Sequence, residues 1–450
     1  MDNERIVVGL DIGTTKICAV VGRKNEYGKL EVLGMGKADS DGVVRGVVSN
    51  IDRTVMAIEK AIDEAEKQSG INIQVVNVGI AGQHIKSAVH HGSITRDSMY
   101  DEISIEDVKR LRHDMYKIVI PPGNEIIHIM PQDYTVDYEG SIKDPVGMRG
   151  LRLEADFHVI TAQANAIYNV NKCVRRVGLE VENLILEPLA SSLAVLSSEE
   201  KEAGVCIVDI GGGTTDVAVF HDNIIRHTAV IPFGGNVITE DIMHGCGVME
   251  KQAELLKVKF GKAIAEEANS NEVVSIPGLR NRPPKEISVI NLAHIIEARM
   301  EEIIEMVHSE IINSGYENKL AAGIVITGGG SLLAHSRQLF EYMTGLDCRI
   351  GHPNEHLGKS KIEAIKSPMY ATSVGLVLSG FRGLDDRDDR YQEVERKSPR
   401  SARVPEDQTM GGRRPDTGID PKDNINGGWW KNFLNKTKEF IIDDVDDNRY

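Results

Sequence analysis

Val7-Val8-Gly9-Leu10-Asp11-Ile12-Gly13-Thr14-Thr15-Lys16 runs apolar, then Asp, then Gly and Thr, and about two hundred residues later the order returns in Cys206-Ile207-Val208-Asp209-Ile210-Gly211-Gly212-Gly213-Thr214-Thr215-Asp216. Each stretch predicts a strand that turns tightly and restarts as a strand. A glycine turn lets backbone N–H groups approach phosphate oxygens with no Cβ in the way. Thr14, Thr15, Thr214 and Thr215 add hydroxyls, and Lys16 adds a point charge for a β- or γ-phosphate. Asp11 and Asp209 fall at strand ends, where a carboxylate can hold Mg2+ through water. Two such hairpins in one chain predict a duplicated domain gripping one phosphate chain between its halves.

Further segments fit that reading. Thr327-Gly328-Gly329-Gly330-Ser331 follows an apolar run and predicts a helix opening near Leu332, a setting that suits a nucleotide. Phe233-Gly234-Gly235-Asn236 is a fourth glycine turn, either a phosphate contact or a plain N-cap turn. Glu187 begins Glu187-Pro188-Leu189-Ala190-Ser191-Ser192 after the apolar run Leu184-Ile185-Leu186. Two roles stay open for Glu187: orienting a water for γ-phosphate attack, or capping the helix that Pro188 starts. Glu254 and Lys257 stand three apart on a predicted helix. They either pair on the surface or bracket ribose and adenine.

The elements around the hairpins repeat. Strands over 5–22 and 30–38, a helix over 51–69 with apolar Val55, Ile58, Ile62 and Ala65, and a strand over 72–81 form one series. Strands near 204–210, 215–220 and 224–231, a helical stretch over 236–261, a long helix over 291–313 and a strand over 322–327 form the second. The expectation is two homologous α/β halves. Proline-rich, charged sequence between Gln83 and about Leu153 predicts an inserted subdomain. A second, mostly helical insertion is expected over 236–290.

Composition narrows the function classes. At 450 residues the chain is expected to form roughly three domains, and 41% hydrophobic residues supply large cores. A net charge of −16 argues against nucleic acid as a partner. Five cysteines without a C-x-x-C spacing suit a reducing cytosol and neither a disulfide framework nor a zinc site. No signal peptide and no bilayer-spanning apolar run are expected.

Residues 384–428 are rich in Asp, Arg, Pro and Gly and predict a disordered linker. Beyond it, Trp429, Trp430, Phe433, Leu434, Phe440 and Ile441 recur at helical spacing, with Lys431, Lys436 and Lys438 on or beside the other face. An amphipathic helix over 429–442 is expected, seated at a lipid headgroup boundary or, as the alternative, on a protein surface. The acidic tip Asp443-Asp444-Val445-Asp446-Asp447 makes apolar burial its main source of membrane affinity.

The two hairpins and the third glycine segment together resemble the actin / Hsp70 / sugar-kinase superfamily. Within it, Gly79-Ile80-Ala81-Gly82-Gln83-His84-Ile85 and Asp144-Pro145-Val146-Gly147-Met148-Arg149-Gly150 resemble the FtsA family of bacterial cell-division proteins. The resemblance implies a duplicated actin-like (ribonuclease-H-like) α/β ATPase fold with an inserted 1C-type subdomain and a C-terminal amphipathic helix. It implies subdomain 1A over 1–83 and 161–200, with a helix at 363–383 packing back. It implies 1C over 84–160, 2A over 201–235 and 291–362, and 2B over 236–290. It further implies ATP with Mg2+, homopolymerisation, attachment to lipid on the cytoplasmic face of the inner membrane, docking of the FtsZ C-terminal tail on 2B, and recruitment of later division proteins. Arg299, in a stretch resembling the part of the family near that groove, either meets the acidic tail or pairs with Glu302. Hydrolysis is expected to be slow at most. A sugar kinase would need an acceptor-site base, and an Hsp70-like chaperone would need a β-rich domain after residue 383. A pilus-assembly adaptor of the same fold would lack the terminal helix.

Overall fold

The two glycine hairpins open two sheets of identical strand order. In the computed structural model, which describes residues 5–277, 283–354, 356–358 and 362–397, the first half begins with β1 (Ile6–Ile12), β2 (Lys16–Lys24) and β3 (Leu30–Asp39). A small hairpin, β4 (Val43–Val44) and β5 (Val47–Val48), precedes helix α1 (Ile51–Ser69) and strand β6 (Val75–Ile80). The inserted segment holds β7 (Lys86–Thr95), α2 (Ile105–Asp114), β8 (Asn124–Val136), β9 (Glu139–Ile142) and β10 (Arg152–Gln163). Then come α3 (Ala164–Arg176), β11 (Glu180–Leu186), α4 (Glu187–Val195) and α5 (Ser198–Ala203). The first sheet orders its strands β11-β6-β1-β2-β3.

The second half repeats this with β12 (Val205–Ile210), β13 (Thr215–His221) and β14 (Ile224–Ile231). Helices α6 (Gly235–Cys246) and α7 (Glu250–Phe260) follow, then the hairpin β15 (Val273–Ile276) and β16 (Lys285–Ser288). The long α8 (Val289–Asn313), β17 (Ile324–Thr327), α9 (Ser336–Thr344), β18 (Cys348–Ile350) and α10 (Ala371–Lys397) complete it. Its sheet runs β14-β13-β12-β17-β18. Read from its other end, β18-β17-β12-β13-β14, that is the order of the first sheet.

The local signals explain the elements. Helix α1 starts where the Asn50 side chain accepts from the Arg53 N–H at 3.0 Å and stops at Gly70, whose φ is 71°. Its Val55, Ile58, Ile62 and Ala65 are buried, as their spacing predicts. Strands β1 and β12 are buried on both faces along nearly their whole length, which is why they read as apolar runs rather than alternating patterns.

Helices α4 and α10 touch backbone to backbone where a Cβ on Gly375 would strike Ala190. Their neighbours form the buried layer shared by the two halves, with Val195, Ile207, Val325 and Val374 in one cluster.

The insertion folds as a four-stranded sheet, β7-β10-β8-β9, covered by α2. Its glycine-methionine turn locks the helix entry: Gly147 N–H donates to Ile103 O, and Ile103 N–H donates to Met148 O. The sheet also reaches the second half. Ser87 Oγ donates to Thr228 O at 3.0 Å, Gln132 donates to Ile225 O at 2.6 Å, and Arg226 pairs with Asp133 at 2.7 Å.

Three expectations need correction. The helical stretch expected over 236–261 breaks at Gly247, whose φ of 55° ends α6. The second insertion also carries the β15–β16 hairpin. Finally, α10 continues to Lys397, past the point where composition predicts a linker. The rest of that linker and the amphipathic helix over 429–442 lie outside the described residues. Among the described residues no helix is long and apolar enough to cross a membrane.

Candidate functional site

Both hairpin turns open into one cavity of about 390 Å³ between the halves. It is lined by Gly13, Thr14, Thr15 and Lys16 from the first turn and by Gly211, Gly212, Gly213 and Thr214 from the second. Gly328, Gly329 and Gly330 form another wall, and Gly235, Glu254 and Lys257 a third. The turns are tight for a visible reason: Gly13 N–H donates to Lys16 O and Gly211 N–H donates to Thr214 O. Those bonds close each β-hairpin and leave the intervening groups at the cavity.

Besides Glu254, the cavity wall carries the carboxylates of Asp11, Glu187, Asp209 and Asp216. Ser191 Oγ, on α4, donates to Asp209 Oδ2 at 2.6 Å, and Thr372 Oγ1, on α10, donates to the same oxygen at 3.1 Å. Ser373 Oγ donates to Asp11 Oδ2 at 3.1 Å. Thr214 Oγ1 donates to Asp216 Oδ2 at 3.0 Å, while Asp216 Oδ1 is buried without a hydrogen-bond partner among the described residues.

Burial raises the pKa of Asp11, partly offset by Lys16, and raises that of Asp209. Burial, then the nearby Asp209 charge, pushes Asp216 up to about 8. Glu187 is raised well above the ordinary range by burial first and then by Asp11, Asp216 and Asp209. It keeps some exposure to the cavity although protein surrounds it. Burial thus disfavours the ionised form of each of these acids, and a cation bound among them would favour it.

Lys257 Nζ donates to Gly235 O at 2.8 Å and to Thr239 Oγ1 at 2.7 Å, and it lies 2.7 Å from Glu254 Oε2. The pair therefore stitches α7 to the start of α6 at the cavity, rather than sitting on open surface. Glu187 occupies the first turn of α4 with no capping bond from a side chain there. Its capping role is not what the geometry shows.

Other expected positions turn away. Thr215 Oγ1 donates to Phe233 O, and Ser331 Oγ donates to Gly328 O, so both hydroxyls face the protein. No α-helix opens near Leu332. Gly329–Leu332 makes a single 3-10 turn, and α9 starts only at Ser336, because His335 adopts a left-handed φ of 66°. Arg299 is paired twice: its Nε donates to Asp241 Oδ2 at 2.6 Å, and its Nη1 meets Glu302. The Asp241 contact crosses from α8 to α6, and sequence spacing held no signal for it.

Several cavity residues carried weak signals or none. Asp216 closes the second motif by its position. Ser191, Thr372 and Ser373 are small hydroxyl residues on helices, a pattern shared with ordinary packing. Gly46 lines the cavity from the β4–β5 turn, and Asn236 from the start of α6.

The family model described as "Cell division protein FtsA" matches residues 206–375, and "SHS2 domain inserted in FTSA" matches 82–161. Cell division protein FtsA of Pseudomonas aeruginosa is 42% identical over 383 residues, covering 85% of this chain and 91% of that protein. That of Escherichia coli K12 is 36% identical, with 84% and 91% covered. Among solved structures, a PilM-PilN type IV pilus biogenesis complex aligns with a TM-score of 0.60 at 16% identity, covering 83% of this chain and 98% of that one. That likeness is one of fold alone. Identity of this extent to curated FtsA proteins decides the relationship: the chain belongs to the FtsA family, as a cell-division protein on a duplicated actin-like fold with an SHS2-type insertion.

Proposed function

We propose that this chain is an ATP–Mg2+-operated, filament-forming adaptor that ties the FtsZ ring to the cytoplasmic face of the inner membrane and recruits later division proteins. The observation that carries the reading is the cavity walled by both glycine hairpins, with Asp11, Glu187, Asp209, Asp216 and Lys16 lining it.

The residues present fit a nucleotide. A Cβ on Gly329 would meet only Met369 Cγ at 3.9 Å, so this wall is kept open for something other than protein packing. Gly13, Thr14, Thr15, Lys16, Gly211, Gly212, Gly213 and Thr214 would take the phosphates. Gly235, Glu254, Lys257 and the Gly328–Gly330 wall would take the nucleoside. Asp11 and Asp209 would hold Mg2+ through its own waters, which that ion sheds reluctantly. Among the described residues, no group of three acidic, histidine or cysteine side chains is arranged to bind a metal directly. The metal would supply charge neutralisation at the phosphates. Glu187, whose pKa is raised by burial and its acidic neighbours, would orient a water once that cation offset the rise. Hydrolysis would be slow at most.

ATP bridging the halves would fix their relative angle and favour subunit-to-subunit contacts. A polymer would then present many terminal helices at once, turning weak single-helix membrane binding into avid binding. Trp429, Trp430, Phe433, Leu434, Phe440 and Ile441 would enter the lipid. Docking of the FtsZ tail on the 236–290 segment belongs to the same reading. Arg299 already has two carboxylate partners, so an acidic tail would have to displace one of them.

Liposome co-sedimentation with and without ATP, comparing the full chain with residues 1–428, tests the whole. Full-length protein is expected to sediment with lipid, more so with ATP. The truncated protein is expected to stay in solution while still binding ATP. Equal sedimentation of both chains would reject the anchor.

A further inference from the structure

The β4–β5 hairpin turns through Arg45 and Gly46 alone, with Val44 paired to Val47 and Val43 to Val48. Both turn residues have positive φ, 49° at Arg45 and 74° at Gly46. A two-residue hairpin loop of that kind favours Asn, Asp or Gly at its first position, because a longer side chain is strained there. Gly46 needs its place: a Cβ there would press on the backbone of Ala81 and Gly82. Nothing comparable in the fold calls for Arg45. Its side chain is exposed, and it has no carboxylate partner among the described residues. A strained residue without a packing role points to function.

The turn is hydrogen-bonded to the first phosphate hairpin and packs close against the second. Gly46 N–H donates to Thr14 Oγ1 at 3.0 Å, and a Cβ on Gly213 would come within 2.9 Å of the Arg45 Cα. Arg45 therefore stands where the first and second glycine turns oppose each other. Gly328–Gly330, Glu254 and Lys257 wall other parts of the same cavity. A nucleoside held by those groups would send the far end of its phosphate chain toward Thr14 and Gly213.

We propose that Arg45 is the residue that recognises the terminal phosphate, so that this site distinguishes a nucleoside triphosphate from a diphosphate. The proposal rests on the nucleotide reading above. Swung over the cavity, which it does not line in this structure, its guanidinium would donate to the γ-phosphate in a charge-assisted hydrogen bond that a diphosphate cannot offer. The β4–β5 turn is held by that contact when triphosphate is bound and released when the terminal phosphate leaves. The strained φ is retained because Asn or Gly, which would relax the turn, cannot make the contact.

The test is equilibrium binding of ATP–Mg2+ and ADP–Mg2+ to the full chain and to Arg45→Asn and Arg45→Lys, with thermal melting of each in the absence of nucleotide. Arg45→Asn suits the turn better, so its melting temperature should equal or exceed that of the unaltered chain. Its ATP affinity should fall about tenfold or more while ADP affinity holds, and Arg45→Lys should recover part of the difference. Unchanged ATP-to-ADP preference in Arg45→Asn, or an equal loss for both nucleotides, would overturn the proposal and leave the nucleotide site standing. Failure of the unaltered chain to bind either nucleotide would instead bring down the site itself, and this assignment with it.

Discussion

Thr15 and Gly212 meet across the cleft: a Cβ on Gly212 would collide with Thr15 Oγ1 and lie 3.2 Å from Asn236 Oδ1. The first half supplies one residue and the second half the other, so this contact sets the spacing of the two phosphate turns. Gly212→Val pries them apart. The expected outcome is a loss of ATP binding of at least ~100-fold with helical content retained, since each half keeps its own core. Titration with a fluorescent ATP analogue, alongside circular dichroism, checks it.

Gly329 and Gly328 should behave oppositely. Gly329 borders open cavity, whereas Gly328 has a φ of 80° and a Cβ there would press against Ile210 O and the Asp209 carboxylate. Gly329→Val is expected to leave stability within about 0.5 kcal/mol while weakening nucleotide binding. Gly328→Ala should lose about 1–3 kcal/mol in chemical denaturation through backbone strain and the crowding of Ile210 O and Asp209.

The acid cluster makes stability depend on pH. The Asp216 carboxyl, ordinarily near 3.8, titrates at about 8 in the fold because burial and the Asp209 charge disfavour its ionised form. Between those values the folded chain holds a proton that the unfolded chain releases. This stabilisation is full below the lower value and is lost as pH rises through the upper one. Without nucleotide, the melting temperature should fall from about pH 5 to about pH 9, and Asp216→Asn should flatten that slope. An identical slope in the variant would contradict the assignment.

Lys257 ties Gly235, Thr239 and Glu254 together at the cavity edge. Lys257→Ala removes charge-assisted bonds from a wall assigned to the nucleoside. Nucleotide affinity should drop about tenfold, for ATP and ADP alike, as calorimetric titration would show. That uniform loss differs from the selective loss expected at Arg45.

How far the sequence could be read depends on how local each feature is. The strands Ile6–Ile12 and Val205–Ile210 and their glycine turns are contiguous signals, and so is the apolar period of Ile51–Ser69. The duplication, and with it the cleft, was legible from them. Ser191, Thr372 and Ser373 were not. Their links to Asp209 and Asp11 exist only because α4 and α10 meet between the sheets, where Ser191 and Thr372 touch although they stand 181 positions apart in the chain. Ser331 read as a ligand because its hydroxyl follows three glycines, yet a bond to Gly328 O turns it inward. The helix expected near Leu332 was overruled by the left-handed His335. Arg299 had a visible partner in Glu302, but Asp241 comes from another helix. The cost of Arg45's backbone appears only once its φ is known.

Equilibrium binding of ATP–Mg2+ to the full chain, followed by isothermal titration calorimetry, probes the cleft between the halves most directly. One saturable site per chain, lost in Gly212→Val, is the predicted result. No saturable heat of binding, or an undiminished site in Gly212→Val, would contradict the account.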